Sequence, residues 1–340
     1  MGQEAHPSPQ TSGPVVSKSR SALPPLALAA LLVFAGPASA EQSAASAAAK
    51  GRIAPVSLQV TDSSLSTSAR KALAAKMEAL IGAALATPAF TDPRGFSLTR
   101  SVRIHAPLDG MPADHPARAE AILIAQDIDL ESGAKPDASG AYMGRLEGPT
   151  FRILVNDLHA LYSNYSGGGD PAQEVQYLPM RIGAVGGFPV FRVGVRDVVV
   201  IAKPGREPFI RVSKSDYLQG LIDETRATMA EIGGTPHPKM QATLDSQVAA
   251  LAALSPQARA QPACASPRLR QFFGDCAAND ATFYVRPNLD YFDKGAPKTA
   301  VQLVMISTPA EGGQGHKRLG PKMRAAAAAM DYAAIQAALD

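Results

Sequence analysis

Between residues 180 and 212 the chain carries four short apolar runs, and the gaps between them are too short to join strands in more than one way. The runs are 180–182, 190–195, 198–203 and 209–212, punctuated by Gly186-Gly187, Arg196-Asp197 and Pro204-Gly205. A parallel crossover needs roughly a dozen residues or more, so strands joined this tightly form antiparallel hairpins. Upstream, residues 56–60, 96–105, 121–130, 140–144 and 150–155 read as further strands, and 283–286 and 300–307 read as two late ones.

Helical signals sit around and after these runs. Ser66 or Ser68 can cap a helix reaching about Ala86, with Leu73, Met77, Leu80, Ile81, Ala84 and Leu85 as its apolar stripe and Pro88 and Pro93 ending it. Ser213 and Asp216 have capping-box spacing. They open a helix with Tyr217, Leu218, Leu221, Ile222, Met229 and Ile232 on one face, stopped by Gly233-Gly234. A second helix runs from about Pro238 to Leu254, with Met240, Leu244, Val248, Leu251 and Leu254 turned inward, and residues 325–339 form an alanine-rich closing helix. Strands in runs followed by helices give an α+β fold, mostly antiparallel sheet with amphipathic helices packed on it.

The first forty residues are of another kind. Lys18 and Arg20 precede an apolar run at 23–35, which is followed by Gly36, Pro37, Ala38, Ser39 and Ala40. A positive flank, an apolar core too short to span a bilayer and a small-x-small site make residues 1–40 a secretory signal peptide, cleaved between Ala40 and Glu41. No cysteine follows the apolar run, so a lipid anchor is not expected. No other stretch is long and apolar enough to cross a membrane. The expected location is periplasmic or secreted. Residues 41–55, rich in Ala and Ser, read as a flexible lead-in. Residues 56–340 read as the globular region, with a possible division into two subdomains near 205–235.

Removing the leader leaves 300 of the 340 residues; the whole chain is 46% hydrophobic and 19% charged, and 300 residues suffice for a large core without a metal or dense disulfides. The leader's Lys18, Arg20 and Glu4 account for one of the three net positive charges, and the rest of the chain has no basic block, which argues against nucleic acid as a partner. Cys264 and Cys276 are the two cysteines. In an oxidising compartment they pair, which stabilises by about 3 kcal/mol; a redox pair is the sharper alternative, but such pairs are spaced by two residues.

Four groups of residues could carry chemistry. Ser68, Ala69, Arg70 and Lys71 match S-x-x-K; Tyr162, Ser163 and Asn164 resemble the second motif of penicillin-recognising serine enzymes, and Lys298, Thr299 and Ala300 the third, which lacks its glycine. Ser68 and Lys71 would then be nucleophile and proton acceptor, with Tyr162 beside them. Asp127, Asp129 and Glu131, spaced by two, would face one side of a strand and could hold a calcium ion, although Ser132 and Ala138 depart from the EF-hand loop at its glycine and glutamate places. Asp157, His159, Tyr162 and Asn164, next to the glycine run 167–169, could line a ligand pocket. Asn288, Asp290, Tyr291, Phe292 and Asp293 read as a structural corner first and a binding rim second. The histidines stand at no zinc spacing, and no cofactor signature occurs.

Residues 187–224 read strand, turn, basic strand, Pro208-x-Ile210-Arg211-Val212, then a Ser-capped helix beginning Tyr217-Leu218. With residues 251–263 and 288–305, this stretch resembles exported, signal-peptide-bearing proteins of Gram-negative bacteria that have no assigned activity. The resemblance spans about a quarter of the chain, implies export, and carries over no catalytic residue. The reading that follows is a soluble binding or interaction protein of the cell envelope, with a serine hydrolase using Ser68 and Lys71 as the alternative.

Overall fold

Two of the three tight gaps, at Gly186-Gly187 and just after Val193, join antiparallel strands; across Pro204-Gly205 the chain instead leaves one sheet for another, so no hairpin forms there. The computed structural model describes residues 42–108, 111–145, 147–162, 175–233, 237–266, 271–278, 281–312 and 317–340. In chain order, α1 (Ala44–Ala48), β1 (Ile53–Val60), α2 (Thr67–Leu85), α3 (Pro88–Thr91), β2 (Phe96–Ile104), β3 (Ala119–Asp127) and β4 (Thr150–Val155) lead to a 3-10 turn at Leu158–Leu161. Then come β5 (Gln176–Tyr177), β6 (Met180–Val185), β7 (Phe188–Val193), β8 (Arg196–Ala202), β9 (Phe209–Arg211), α4 (Lys214–Ile232), α5 (Pro238–Ala253) and α6 (Pro256–Ala260). The chain closes with β10 (Tyr284–Pro287), a 3-10 turn at Leu289–Tyr291, β11 (Leu303–Pro309), α7 (Gly320–Ala328) and α8 (Tyr332–Ala337).

Eight strands form one sheet in the order β1-β2-β3-β4-β11-β8-β7-β6, and β5, β10 and β9 form a smaller one. Within the large sheet only β1 and β2 run parallel. The architecture is therefore α+β on mostly antiparallel sheet. Gln42–Asp340 form a single unit by their contacts.

One hairpin turns two residues earlier than the spacing suggests. The turn between β7 and β8 is Gly194-Val195, and Arg196 and Asp197 already belong to β8, paired with Val193 and Arg192. Gly194 has φ +57°, the left-handed conformation that a two-residue hairpin loop demands and that glycine adopts without a Cβ penalty. Arg196 consequently lies on the same face of β8 as Val198 and Val200.

The central strands are apolar on both sides because both sides are covered. Ile153, Val155, Val199, Ile201, Val304 and Ile306 face a core closed by α2, α3, α7 and α8, where Leu73, Met77, Ile81, Phe90, Met323 and Ile335 are buried. Their neighbours Leu154, Val198, Val200, Leu303 and Met305 face a second core, roofed by the 3-10 turn at Leu158–Leu161 and by Val285, Tyr291 and Phe292. A strand whose consecutive residues are both buried must lie between two layers.

Other segments differ from expectation for local reasons. From residue 42 on, the Ala/Ser-rich stretch to 55 is built into the fold: Ser43 caps α1, Gln42 Nε2 donates to the carbonyls of Gly95 and Ile128 at 2.8 Å each, and Leu130 N donates to Ser46 Oγ at 3.0 Å. A serine before an alanine run is a helix cap as readily as a linker. Residues 140–144 make only isolated bridges, Tyr142 to Gly51 and to Pro136. The closing helix is two helices, because Asp331 caps α8 through Ala334 N at 2.9 Å. On α5 the buried residue is Gln247, which accepts the Thr225 hydroxyl at 3.1 Å, while Val248 is exposed. Cys264 and Cys276 form the expected disulfide, with Cα atoms 5.5 Å apart. Among the described residues no helix is long and apolar enough to cross a membrane.

Candidate functional site

The site begins where β4 ends. Asn156 takes φ +56°, which Asn tolerates better than other residues with a Cβ, and its buried amide makes four hydrogen bonds. Its Nδ2 donates to the carbonyls of Ala117 and Ala300, at 3.0 and 2.8 Å, and its Oδ1 accepts Gln302 N and Leu303 N at 2.9 and 3.2 Å. Every donor and acceptor of the amide is used, and the exit of β4 is pinned to the entry of β11.

From that anchor the chain enters the Leu158–Leu161 turn. Asp157 Oδ1 accepts His159 N at 3.1 Å, Leu158 and Leu161 sink into the second core, and His159 and Tyr162 follow them, each 6% exposed. Asp157, His159 and Tyr162 thereby come to line one cavity of about 270 Å³ together with Arg118, Arg152 and Arg196. Leu154, Val193 and Val198 supply its apolar surface.

The charges in the cavity do not cancel. Arg118 Nη1 lies 3.3 Å from Asp157 Oδ2. Arg152 is ion-paired to Glu120, whose other oxygen is 3.7 Å from His105 Nε2. Burial pushes the Glu120 carboxyl up, but hydrogen bonds from His105 and Arg152 outweigh it and hold the group below the usual carboxylate range. Arg196 is different. Its Nε donates to Ser307 Oγ at 2.7 Å, Nη1 to Thr150 Oγ1 at 2.9 Å, and Nη2 to the carbonyls of Thr150 and Ser307 at 2.9 and 2.8 Å. All four acceptors are neutral. Burial, followed by repulsion from Arg152, brings its pKa down to about 10 against a smaller opposing pull from Glu120, so it stays charged at neutral pH, and among the described residues it makes no ion pair.

The Tyr162 hydroxyl is buried with no hydrogen-bond partner among the described residues, and burial pushes its pKa well up, so it keeps its proton. Burial lowers the His159 pKa, Asp157 opposes that and Arg118 reinforces it, so the ring is neutral at pH 7. Its plane meets Tyr162 edge-on at 6.1 Å between centroids. The cavity therefore offers one surplus positive charge, one unused O–H donor, a neutral imidazole and an apolar wall.

The other sequence candidates scatter. Asn164 lies outside the described residues, as does Ser163. Ser68 is the second residue of α2 and exposed; the cap is Ser66, whose Oγ accepts Ala69 N at 3.2 Å. Lys71 is exposed on the same helix, which packs on the sheet face opposite Tyr162, and Lys298 precedes β11. The alternation expected of Asp127, Asp129 and Glu131 stops because β3 ends at Asp127. That residue pairs with Arg318, while Asp129 Oδ1 accepts Glu131 N and Ser132 N at 3.0 and 3.2 Å in a local turn. Among the described residues no three His, Cys, Asp or Glu side chains are placed to hold a metal ion. Residues 288–293 form a corner: Asn288 caps the 3-10 turn, and the Tyr291 hydroxyl accepts Lys203 N at 2.9 Å and donates to the Gln302 carbonyl at 2.8 Å.

The three arginines were the residues missing from the sequence reading. For Arg152 and Arg196 the signal was an arginine on the in-facing parity of a strand, two places from a buried Leu154 or Val198, whereas Arg118 precedes β3 and carried no such signal. No family model, curated protein or solved structure matches this chain.

Proposed function

We propose that this chain is an exported binding protein that holds a small organic monocarboxylate in the cavity between the Leu158–Leu161 turn and the arginines of the sheet. The observation that carries the reading is the pairing of Arg196, a partly buried cation served only by neutral acceptors, with the buried, unused Tyr162 hydroxyl on the same 270 Å³ space. Leaving a charge uncompensated and a hydroxyl unpaired in a partly dry site costs free energy, and an anion that accepts from both offsets the two costs together. Arg118 and Arg152 already have carboxylate partners, so the surplus is one charge, which favours a monoanion over a dianion. The apolar wall favours a hydrocarbon body behind the carboxylate. A leader with the pattern of a secretory signal, the resemblance to exported bacterial proteins and the Cys264–Cys276 disulfide support a periplasmic or secreted setting.

Benzoate is a suitable probe, with neutral benzamide as its control. Benzoate raises the thermal midpoint by mass action and benzamide does not. Arg196→Met and Tyr162→Phe each weaken benzoate binding about tenfold, which corresponds to about 1.4 kcal/mol, the scale of one hydrogen bond to a charged group. Calorimetry that finds no binding of benzoate, or equal binding by the wild type and both variants, refutes the proposal.

A further inference from the structure

A second concavity, of about 940 Å³, is open and unlike the first. It runs between the β6–β7–β8 end of the large sheet and β9, an edge strand of the small one. Its floor is apolar: Phe191 and Val200 are buried beneath it, and Phe209 and Phe283 flank it. Its rim is cationic. Arg181, Lys203, Arg206 and Arg211 line it; among the described residues Glu207 is the single carboxylate of the lining, and none of the four makes an ion pair. What holds them is weak and local. Arg181 Nε donates to the Gly183 carbonyl at 3.4 Å, Arg206 Nη1 to the Tyr291 carbonyl at 3.0 Å, and the Arg211 guanidinium sits 4.1 Å from the centroid of the Phe283 ring. Four cations that make no ion pair among the described residues, gathered around one hollow, make a local field that the chain's net charge of +3 conceals. The exposed Met180 continues the apolar lining outward.

We infer that this groove is the docking site for an extended acidic peptide segment of a partner protein, one that alternates carboxylates with apolar side chains. The carboxylates meet the rim and the apolar side chains the floor, a complementarity that sets specificity and association rate. The same features weigh against other anions. The Phe283 face is covered by Arg211, which removes a platform on which a nucleobase would stack. A polyanionic glycan has nothing to place on an apolar floor, and a membrane surface does not enter a concave groove. The volume lies at the upper end of the range for small-molecule pockets, with room for several peptide residues.

The test is fluorescence anisotropy with a fluorescein-labelled heptapeptide, DFDLDVD, on the purified protein at low and high salt. Binding is expected below about 1 mM and is expected to weaken as salt rises. Arg206→Glu with Arg211→Glu weakens it at least tenfold and confers binding of the reversed peptide KFKLKVK. Arg181→Glu, at an exposed position, weakens it in the same direction if the double variant is unstable. Arg196→Met leaves it unchanged, which separates this groove from the carboxylate cavity. No binding of DFDLDVD, or binding indifferent to all three charge reversals, overturns the inference. So does groove-dependent binding of the single-stranded oligonucleotide dT20 or of phosphatidylglycerol vesicles without binding of the peptide.

Discussion

Replacing Asn156 tests whether one amide holds the candidate site in place. In Asn156→Ala the side chain's four hydrogen bonds vanish, and the carbonyls of Ala117 and Ala300 and the amides of Gln302 and Leu303 lose a buried partner. At about 1 kcal/mol for each bond the loss is about 4 kcal/mol. Alanine at φ +56° adds about 1 kcal/mol of left-handed strain, for a total of about 5 kcal/mol. Domain stabilities run from about 5 to 15 kcal/mol, so this variant approaches the unfolding threshold. Asn156→Gly removes the same bonds without the strain and so loses less than alanine, although the freedom of glycine in the unfolded chain cancels part of the relief. Urea titrations followed by far-UV circular dichroism suit a chain with no tryptophan and report the free energies by linear extrapolation. The glycine variant, folded at low urea, also loses the benzoate response, because Asp157, His159 and Tyr162 depend on the anchored turn. An alanine variant within about 1 kcal/mol of wild type, or one more stable than the glycine variant by more than that, refutes the reasoning.

Acid should weaken the fold. His115 and His159 are buried, and burial holds both below the ordinary 6.5, so the unfolded chain takes up protons on these rings first; their stabilisation is complete above pH 6.5 and is lost as the pH falls below it. The urea midpoint therefore drops between pH 7 and pH 5, and a midpoint that stays level or rises contradicts this account. Two glycines separate crowding from backbone strain: a Cβ on Gly148 would stand 1.6 Å from the Ala125 carbonyl oxygen, so Gly148→Ala loses about 3 kcal/mol or more, whereas Gly133 at φ +78° has open space around it and Gly133→Ala loses about 1 kcal/mol, both measured by urea unfolding.

The periodic parts of the fold could be read from sequence, and the positions that depend on distant partners could not. Short gaps between apolar runs revealed the hairpins, and serine caps revealed α2 and α4, because both signals are local. The β7–β8 turn was misplaced by two residues because Arg196-Asp197 looks like a polar turn. Gly194 with its positive φ is the residue that decides it, and Arg192 and Asp197 then pair across the strands. That slip hid Arg196. For the site, the local cluster Asp157, His159 and Tyr162 stood out, whereas Arg118, Arg152 and Arg196 come from three separate stretches of chain and meet the cluster only after the sheet is assembled. Asp127, Asp129 and Glu131 failed the other way. Strand parity holds only while the strand lasts, and β3 ends at the first of them.

The place of β11 has a consequence for the order in which the molecule can be made. It enters the sheet between β4 and β8, yet it is Leu303–Pro309, synthesised long after both neighbours. A growing chain that has not reached Leu303 has two half-sheets with nothing to join them, and each exposes a raw edge of unsatisfied amides and carbonyls. The final hydrogen-bond ladder therefore closes like a keystone course, late and over long sequence distance, which makes folding slow and favours a polypeptide kept extended until almost all of it has emerged.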